Sequence, residues 1–284
     1  MAEVLTTTDH DRAAALLRYV YPVVSRRAGG VSVGINLNTN NACNWHCVYC
    51  QVPDLRRGVA PAVDLVLLEK ELRGFLRELL QGDFMQTRVP EECRLFHDIA
   101  ISGNGEPTSS RQFDAVVRLI CRVMTDLDLT KRIKLVLITN GSWVHRPEVR
   151  YGLEMMAMEA DGEVWFKVDS ATDAGIHRIN GISLSSERLR QQLTVAAELC
   201  PTWIQTCMFA WDGNPPSDME VTAYLDFVAG IVRDGVPVKG VLLYGLARPS
   251  MQEEAGHLSA LDESWMRTFA DKIEQRGLPV RLNL

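Results

Sequence analysis

Short runs of β-branched and aliphatic residues alternate along this chain with stretches whose apolar positions recur every three or four residues. Runs of the first kind read as buried strands, and stretches of the second as amphipathic helices. The first clear strand is Val31-Ser-Val-Gly-Ile-Asn-Leu-Asn38, preceded by a helical pattern over 9–27. Further helices are predicted over 63–80, 111–126, 147–158, 185–199, 218–234 and 262–275. Strands fall between them at 95–102, 133–139, 163–169, 202–210 and 238–244, with 280–284 as an extra edge strand. Six consecutive βα units predict a parallel sheet with right-handed crossovers. Eight would close a full barrel; six predict an α/β fold in the form of a partial, TIM-like (β/α)6 barrel. No Ser/Gly linker, low-complexity tract or short repeat divides the chain. Residues 1–284 therefore read as one domain: a helical extension over 1–30, a core over 31–250, and a C-terminal helix and strand over 251–284.

Polar motifs recur at one place in this pattern, directly after a strand. Cys43-Asn-Trp-His-Cys47-Val-Tyr-Cys50 follows the first strand and Gly103-Asn-Gly-Glu-Pro-Thr108 the second. Thr139-Asn-Gly141 follows the third, Asp169-Ser-Ala171 closes the fourth, and Arg248-Pro-Ser250 follows the sixth. Sites in parallel α/β folds gather at the carboxyl ends of the strands, so these segments are predicted to share one mouth. The C-x3-C-x2-C spacing brings three thiolates onto one short loop. A cubane [4Fe–4S] cluster ordinarily takes four cysteines, so three leave one iron open to a substrate or cofactor. A structural zinc with His46 as fourth ligand is the plainer alternative, although His46 adjoins Cys47 and both would struggle to face one ion.

Composition narrows the setting. The chain has 284 residues, 46% apolar and 23% charged, as expected of a globular protein. No apolar run approaches the roughly 20 residues that span a bilayer, and the segment Met1–His10 lacks the basic and apolar regions of an export signal. Seven cysteines, three of them clustered, point to metal binding in a reducing compartment. A cytoplasmic protein without membrane attachment is predicted. With a net charge of −6 and only short basic pairs (Arg26-Arg27, Arg56-Arg57, Lys131-Arg132), a nucleic-acid partner is not favoured. Cys93, Cys121 and Cys200 read as small buried hydrophobes. Cys207 alternates with Gln205 and Trp203 and is expected to face the barrel interior; Trp203, Trp211 and Met208 are expected to pack the core.

Cys43, Cys47 and Cys50, with Tyr49 before the last cysteine and Gly105-Glu106-Pro107 after the second strand, resemble the radical S-adenosylmethionine (SAM) superfamily. A narrower likeness rests on Ser102–Thr108, Ile138-Thr-Asn-Gly141, Phe166-Lys-Val-Asp-Ser-Ala171, Ile179-Asn-Gly181 and Ala247-Arg-Pro249. These look like the branch related to tRNA wybutosine-synthesis enzymes. Those enzymes carry extra N-terminal cysteines for a second cluster, and no cysteine precedes Cys43 here, which argues against tricyclic base formation.

The resemblance implies a [4Fe–4S] cluster on Cys43, Cys47 and Cys50 and SAM as its partner, chelating the open iron. One electron from the cluster would cleave a C–S bond of SAM and start radical chemistry on a small or medium organic substrate. A flavodoxin or ferredoxin would donate the electron. Glu106 would meet the methionyl ammonium, with backbone of Asn104 and Gly105 close by. Asn140 and Asp169 are implied for ribose or methionyl contacts, Lys167 for the SAM carboxylate, and Tyr49 for the adenine. Radical modification of a tRNA base and transfer of the aminocarboxypropyl group of SAM are the alternative reactions. Each residue also has a structural reading: Glu106 as a helix cap, Lys167 and Asp169 as an ion pair, and Asn140 as a turn residue; Arg248 reads as a surface loop residue or as a contact to a substrate anion.

Overall fold

The computed structural model describes residues 5, 17–25, 29–246 and 248–284. Eight strands form one sheet whose spatial order follows the chain: β1 (Val20–Ser25), β2 (Gly30–Ile35), β3 (Phe96–Ile101), β4 (Lys134–Thr139), β5 (Glu163–Lys167), β6 (Thr202–Met208), β7 (Val238–Gly245) and β8 (Val280–Asn283). Only β1 is antiparallel to its neighbour; every pair from β2 to β8 is parallel. The strands are apolar because helices cover them on the outside while they curl around an interior. Val31, Val33 and Ile35 of β2 and Leu135 and Leu137 of β4 have no exposed surface. The curl is evident at the edges, since Tyr21 of β1 and Asn283 of β8 border the same internal cavity.

The helices of eight residues or more are α1 (Leu65–Gln81), α2 (Phe113–Asp126), α3 (Pro147–Glu159), α4 (Asp173–Asn180), α5 (Ser186–Leu199), α6 (Asp218–Arg233) and α7 (Glu263–Glu274), joined by shorter helical segments and turns. In α1 the buried stripe is Leu68, Leu72, Phe75, Leu76 and Leu79, the spacing of one helix face. Asp64, Thr172, Ser185 and Ser217 cap α1, α4, α5 and α6 by accepting a first-turn amide on the side chain. Among the described residues no helix is long and apolar enough to cross a membrane.

The sheet is the expected partial barrel, and 280–283 is its added parallel edge. Two expectations change. The pattern over 9–27 predicted a helix; residues 9–16, 26 and 27 lie outside the described residues, but Val20–Ser25 is strand β1. Val20, Val23 and Val24 suit a pleated surface, and an edge strand tolerates Pro22, which has no amide to donate. The second change is α4, which stands between β5 and α5 where the sequence pattern predicted no element. At eight residues it shows too few turns to set a periodicity.

Candidate functional site

The loop over 36–64 carries the three cysteines along the carboxyl edge of the sheet. Ala42–Cys43 pairs with Arg56–Arg57 in a two-residue parallel ladder, and the Gly58 amide bonds the Cys43 carbonyl at 3.0 Å. Elsewhere the loop is pinned by remote segments. Amides of His46 and Val48 donate to the carbonyls of Asn180 and Ile179, each at 2.9 Å. Ser250 Oγ donates to the Val48 carbonyl at 2.7 Å, and Gln252 Nε2 to the carbonyls of Cys50 and Val52. Arg57 donates to the carbonyls of Asn44 and Gly181. Trp45, 2% exposed, anchors the loop on the sheet through Ser142 Oγ at 2.9 Å.

Cys43, Cys47 and Cys50 are half-buried and unpaired with one another, and all three border one cavity of about 290 Å³. Burial pushes the Cys43 thiol up to about 12; the Trp45 amide opposes this, and Glu106 and Cys50 add to it. Burial likewise raises Cys47, against the attraction of Lys167. Among the described residues no three His, Cys, Asp or Glu side chains converge where one ion could sit. A tetrahedral zinc requires such convergence. A cubane sets each thiolate on its own iron, so its donors need only border a common space, as these three do. His46 does not line the cavity; its backbone and Cβ pack against Gly181.

The turn after β3 brings Gly105 and Glu106 to the cysteine loop. A Cβ on Gly105 would stand 2.1 Å from the Ala42 carbonyl oxygen, so only glycine permits this approach. Glu106 is 2% exposed and borders the cavity. Its Oε1 accepts from Thr108 N (3.0 Å), Thr108 Oγ1 (2.5 Å) and Thr139 Oγ1 (2.6 Å), while Oε2 accepts a single bond, from Asn140 N at 2.7 Å. Burial still raises its proton affinity, outweighing these donors. Asn140 lines the cavity and spans to Asn44 Oδ1 at 3.0 Å.

On the neighbouring strand, Lys167 ends β5. Its Nζ donates to Tyr49 OH, lies 4.7 Å from the Tyr49 ring centroid and 3.8 Å from Asp169 Oδ2. Burial works against the ammonium, but the Asp169 carboxylate overcomes it and holds Lys167 above the ordinary lysine value. Asp169 is itself enclosed by Tyr49 OH (2.5 Å), Asn180 Nδ2 (2.8 Å) and Cys207 N (3.1 Å).

Of the residues singled out in the sequence, Cys43, Cys47, Cys50, Tyr49, Gly105, Glu106, Asn140, Lys167, Cys207 and Arg248 border this cavity. Asn104 and Asp169 do not. The Asn104 side chain turns to Asn41 Oδ1 at 2.6 Å. Asp169 borders a neighbouring cavity of about 360 Å³ that also touches Cys207. Sequence reasoning gave no individual role to Asn44, Trp45, Asn180, Ser250 or Gln252, although Asn180 and Ser250 lie in segments it had marked. Their partners are remote in sequence.

No family model matches the chain. A UPF0026 protein of Helicobacter pylori (strain J99) is 25% identical over 185 residues, covering 63% of this chain and 54% of that protein. A UPF0026 protein of Synechocystis is 27% identical over 207 residues, 66% of each. The chain thus spans between about half and two thirds of these relatives. Among solved structures, a radical SAM methyltransferase from Sphaerobacter thermophilus matches with a TM-score of 0.56 at 12% identity, covering 89% of this chain and 66% of the other. The fold is that of radical SAM enzymes. TYW1 with a lysine-pyruvate adduct bound matches equally well, with a TM-score of 0.56 at 13% identity over 96% of this chain and 79% of the other. SuiB of Streptococcus suis bound to S-adenosylmethionine matches with a TM-score of 0.54 at 14% identity, over 85% of this chain and 47% of that one.

Proposed function

We propose that this chain is a radical SAM enzyme, with residues 31–250 as its catalytic core, acting in the cytoplasm on a small or medium organic substrate. The observation that carries this is three cysteines bordering one cavity at the carboxyl edge of the sheet, with Glu106 and Lys167 on the same lining and Asp169 paired to Lys167 outside it. When bound, a [4Fe–4S] cluster with SAM on its open iron supplies one-electron reductive cleavage of a C–S bond. Cys43, Cys47 and Cys50 hold that cluster. Glu106 Oε2, with one hydrogen bond and a lone pair to spare, receives the methionyl ammonium. Lys167 stays charged and neutralises the carboxylate, while Asp169 acts indirectly by holding Lys167 and Tyr49 in place. Asn140 fixes Glu106 from the end of β4, and Gly105 keeps the turn close to the cysteine loop. Tyr49, which borders the cavity, would lie against the adenine. The fold excludes water by burying the polar network, and a flavodoxin or ferredoxin delivers the electron.

The test is anaerobic reconstitution with iron and sulfide, followed by SAM and dithionite, with chromatography of the products. A brown protein yielding 5′-deoxyadenosine is expected. Methylthioadenosine would redirect the assignment to aminocarboxypropyl transfer, and no SAM cleavage by a fully loaded protein would overturn the proposal. Alanine at any of Cys43, Cys47 or Cys50 should abolish cleavage. Cys121→Ala, on the buried face of α2, should leave it intact.

A further inference from the structure

Asn180 belongs to the Ile179-Asn-Gly181 segment, which has no part in the chemistry described so far. It is the last residue of α4, and Gly181, at φ +64°, stops the helix in the left-handed region. The helix end is thereby set against the cysteine loop, with its carbonyls taking the His46 and Val48 amides. The Asn180 side chain is 1% exposed. Its Nδ2 donates to Cys47 Sγ at 3.4 Å and to Asp169 Oδ2 at 2.8 Å. A carboxylate and a ligating thiolate both accept only, so the amide must present its nitrogen to them. One buried amide therefore bridges a cluster-ligand sulfur and the carboxylate that holds Lys167. Hydrogen bonds to ligand sulfurs are among the factors that set cluster reduction potentials.

We propose that Asn180 is a positioning residue that orients the Cys47 sulfur and raises the reduction potential of the cluster bound there. This rests on the radical SAM function proposed above. Reduction adds one electron to the cluster and increases the negative charge on its sulfurs, so an N–H donor at Cys47 favours the reduced state. The backbone carbonyl of Asn180 separately holds the loop, and a side-chain substitution leaves that bond in place.

Asn180→Leu in the full chain removes both N–H donors at similar volume, and Asn180→Ser is a second variant whose hydroxyl is too short to serve both partners. Each is reconstituted beside the wild type, its iron content measured, and its midpoint potential read by an EPR-monitored titration without SAM. The expected result is wild-type iron content with a midpoint more negative by about 59 mV, a tenfold change in a one-electron equilibrium. If Asn180→Leu does not fold, Asn180→Ser carries the measurement. A wild-type midpoint in a loaded variant overturns the assignment, since a merely structural asparagine would change stability and leave the potential alone. Failure of both variants to take up iron beside a loaded wild type also overturns it, in favour of a folding role. A wild type that takes up no cluster overturns the proposed function itself, which is a distinguishable outcome.

Discussion

Glu106 receives four hydrogen bonds through two oxygens, three of them on Oε1. The capping role and the ligand role considered for it in the sequence are thus compatible in one side chain: Oε1 holds the turn and the end of β4, and Oε2 keeps acceptor capacity. Alanine at this position would strip the acceptor from buried donors, at about 1–3 kcal/mol for each one orphaned, and would confuse folding with binding. Glu106→Gln is the cleaner change, because it keeps the volume and an oxygen for the three donors on Oε1, and turns an NH2 toward Asn140 N and the ammonium site. A charge-assisted hydrogen bond is worth about 1.5–3 kcal/mol, so SAM affinity should fall about ten- to hundredfold with iron content unchanged. Equilibrium dialysis of SAM against the loaded variant reads this directly; unaltered affinity would remove Glu106 from the ligand site. At this scale the cysteine loop stood out by its spacing, and Glu106 only through the resemblance carried by Gly105-Glu106-Pro107. Trp45 and Asn44 did not, since each acquires its role from Ser142 or Asn140 on the far side of two βα units.

Each parallel strand has a functional end and a structural end, and Glu163 marks the second. It opens β5 with its side chain 4% exposed, paired with Lys134 of β4 and, at 2.7 Å, with Lys239 of β7. Burial alone would raise its proton affinity, but the bonds from the two lysines outweigh burial and hold the carboxyl below the ordinary glutamate value of 4.5. A carboxyl depressed in the folded state stabilises it fully above the unfolded value, and that contribution disappears as pH falls from 4.5 through the folded value. Both lysines are more than a third exposed, so the loss is about 1–3 kcal/mol, less than for a fully buried pair. Glu163→Gln should therefore cost stability at neutral pH and show a shallower decline on acidification. Urea melts at pH 7 and at about pH 4 compare the two slopes, and parallel declines would refute the tether. The helices and the parallel strands were readable from periodicity. The segment 20–25 was not, because a hydrophobic run beside an amphipathic pattern has no local feature that selects strand over helix; pairing with β2 made the choice.

The curled sheet places segments from across the chain on one cavity, bordered at its extremes by Tyr21 and Asn283. A ligand that binds only this assembled state stabilises the whole molecule by mass action. At a hundred times its dissociation constant, SAM should add about 2.7 kcal/mol, which for a chain of this size raises the melting temperature by about 5–10 °C. Anaerobic calorimetry of the loaded protein with and without SAM measures the shift. The three-cysteine alanine variant should lose most of it, because one end of the ligand would have no iron to bind, and an equal shift in both proteins would place SAM elsewhere.

From the sequence alone came the order of strands and helices from β2 onward except α4, the partial barrel, the position of polar motifs at strand ends and the clustering of three cysteines on one loop. Each of these is encoded in periodicity or in residues a few positions apart, where chain geometry leaves few choices. Tertiary structure decided that β1 is a strand, that Asp169 is held behind Lys167 instead of facing the main cavity, and that Asn180 touches Cys47. Those relations join residues far apart in the chain, and only the packing of sheet against loop brings their atoms within hydrogen-bond reach.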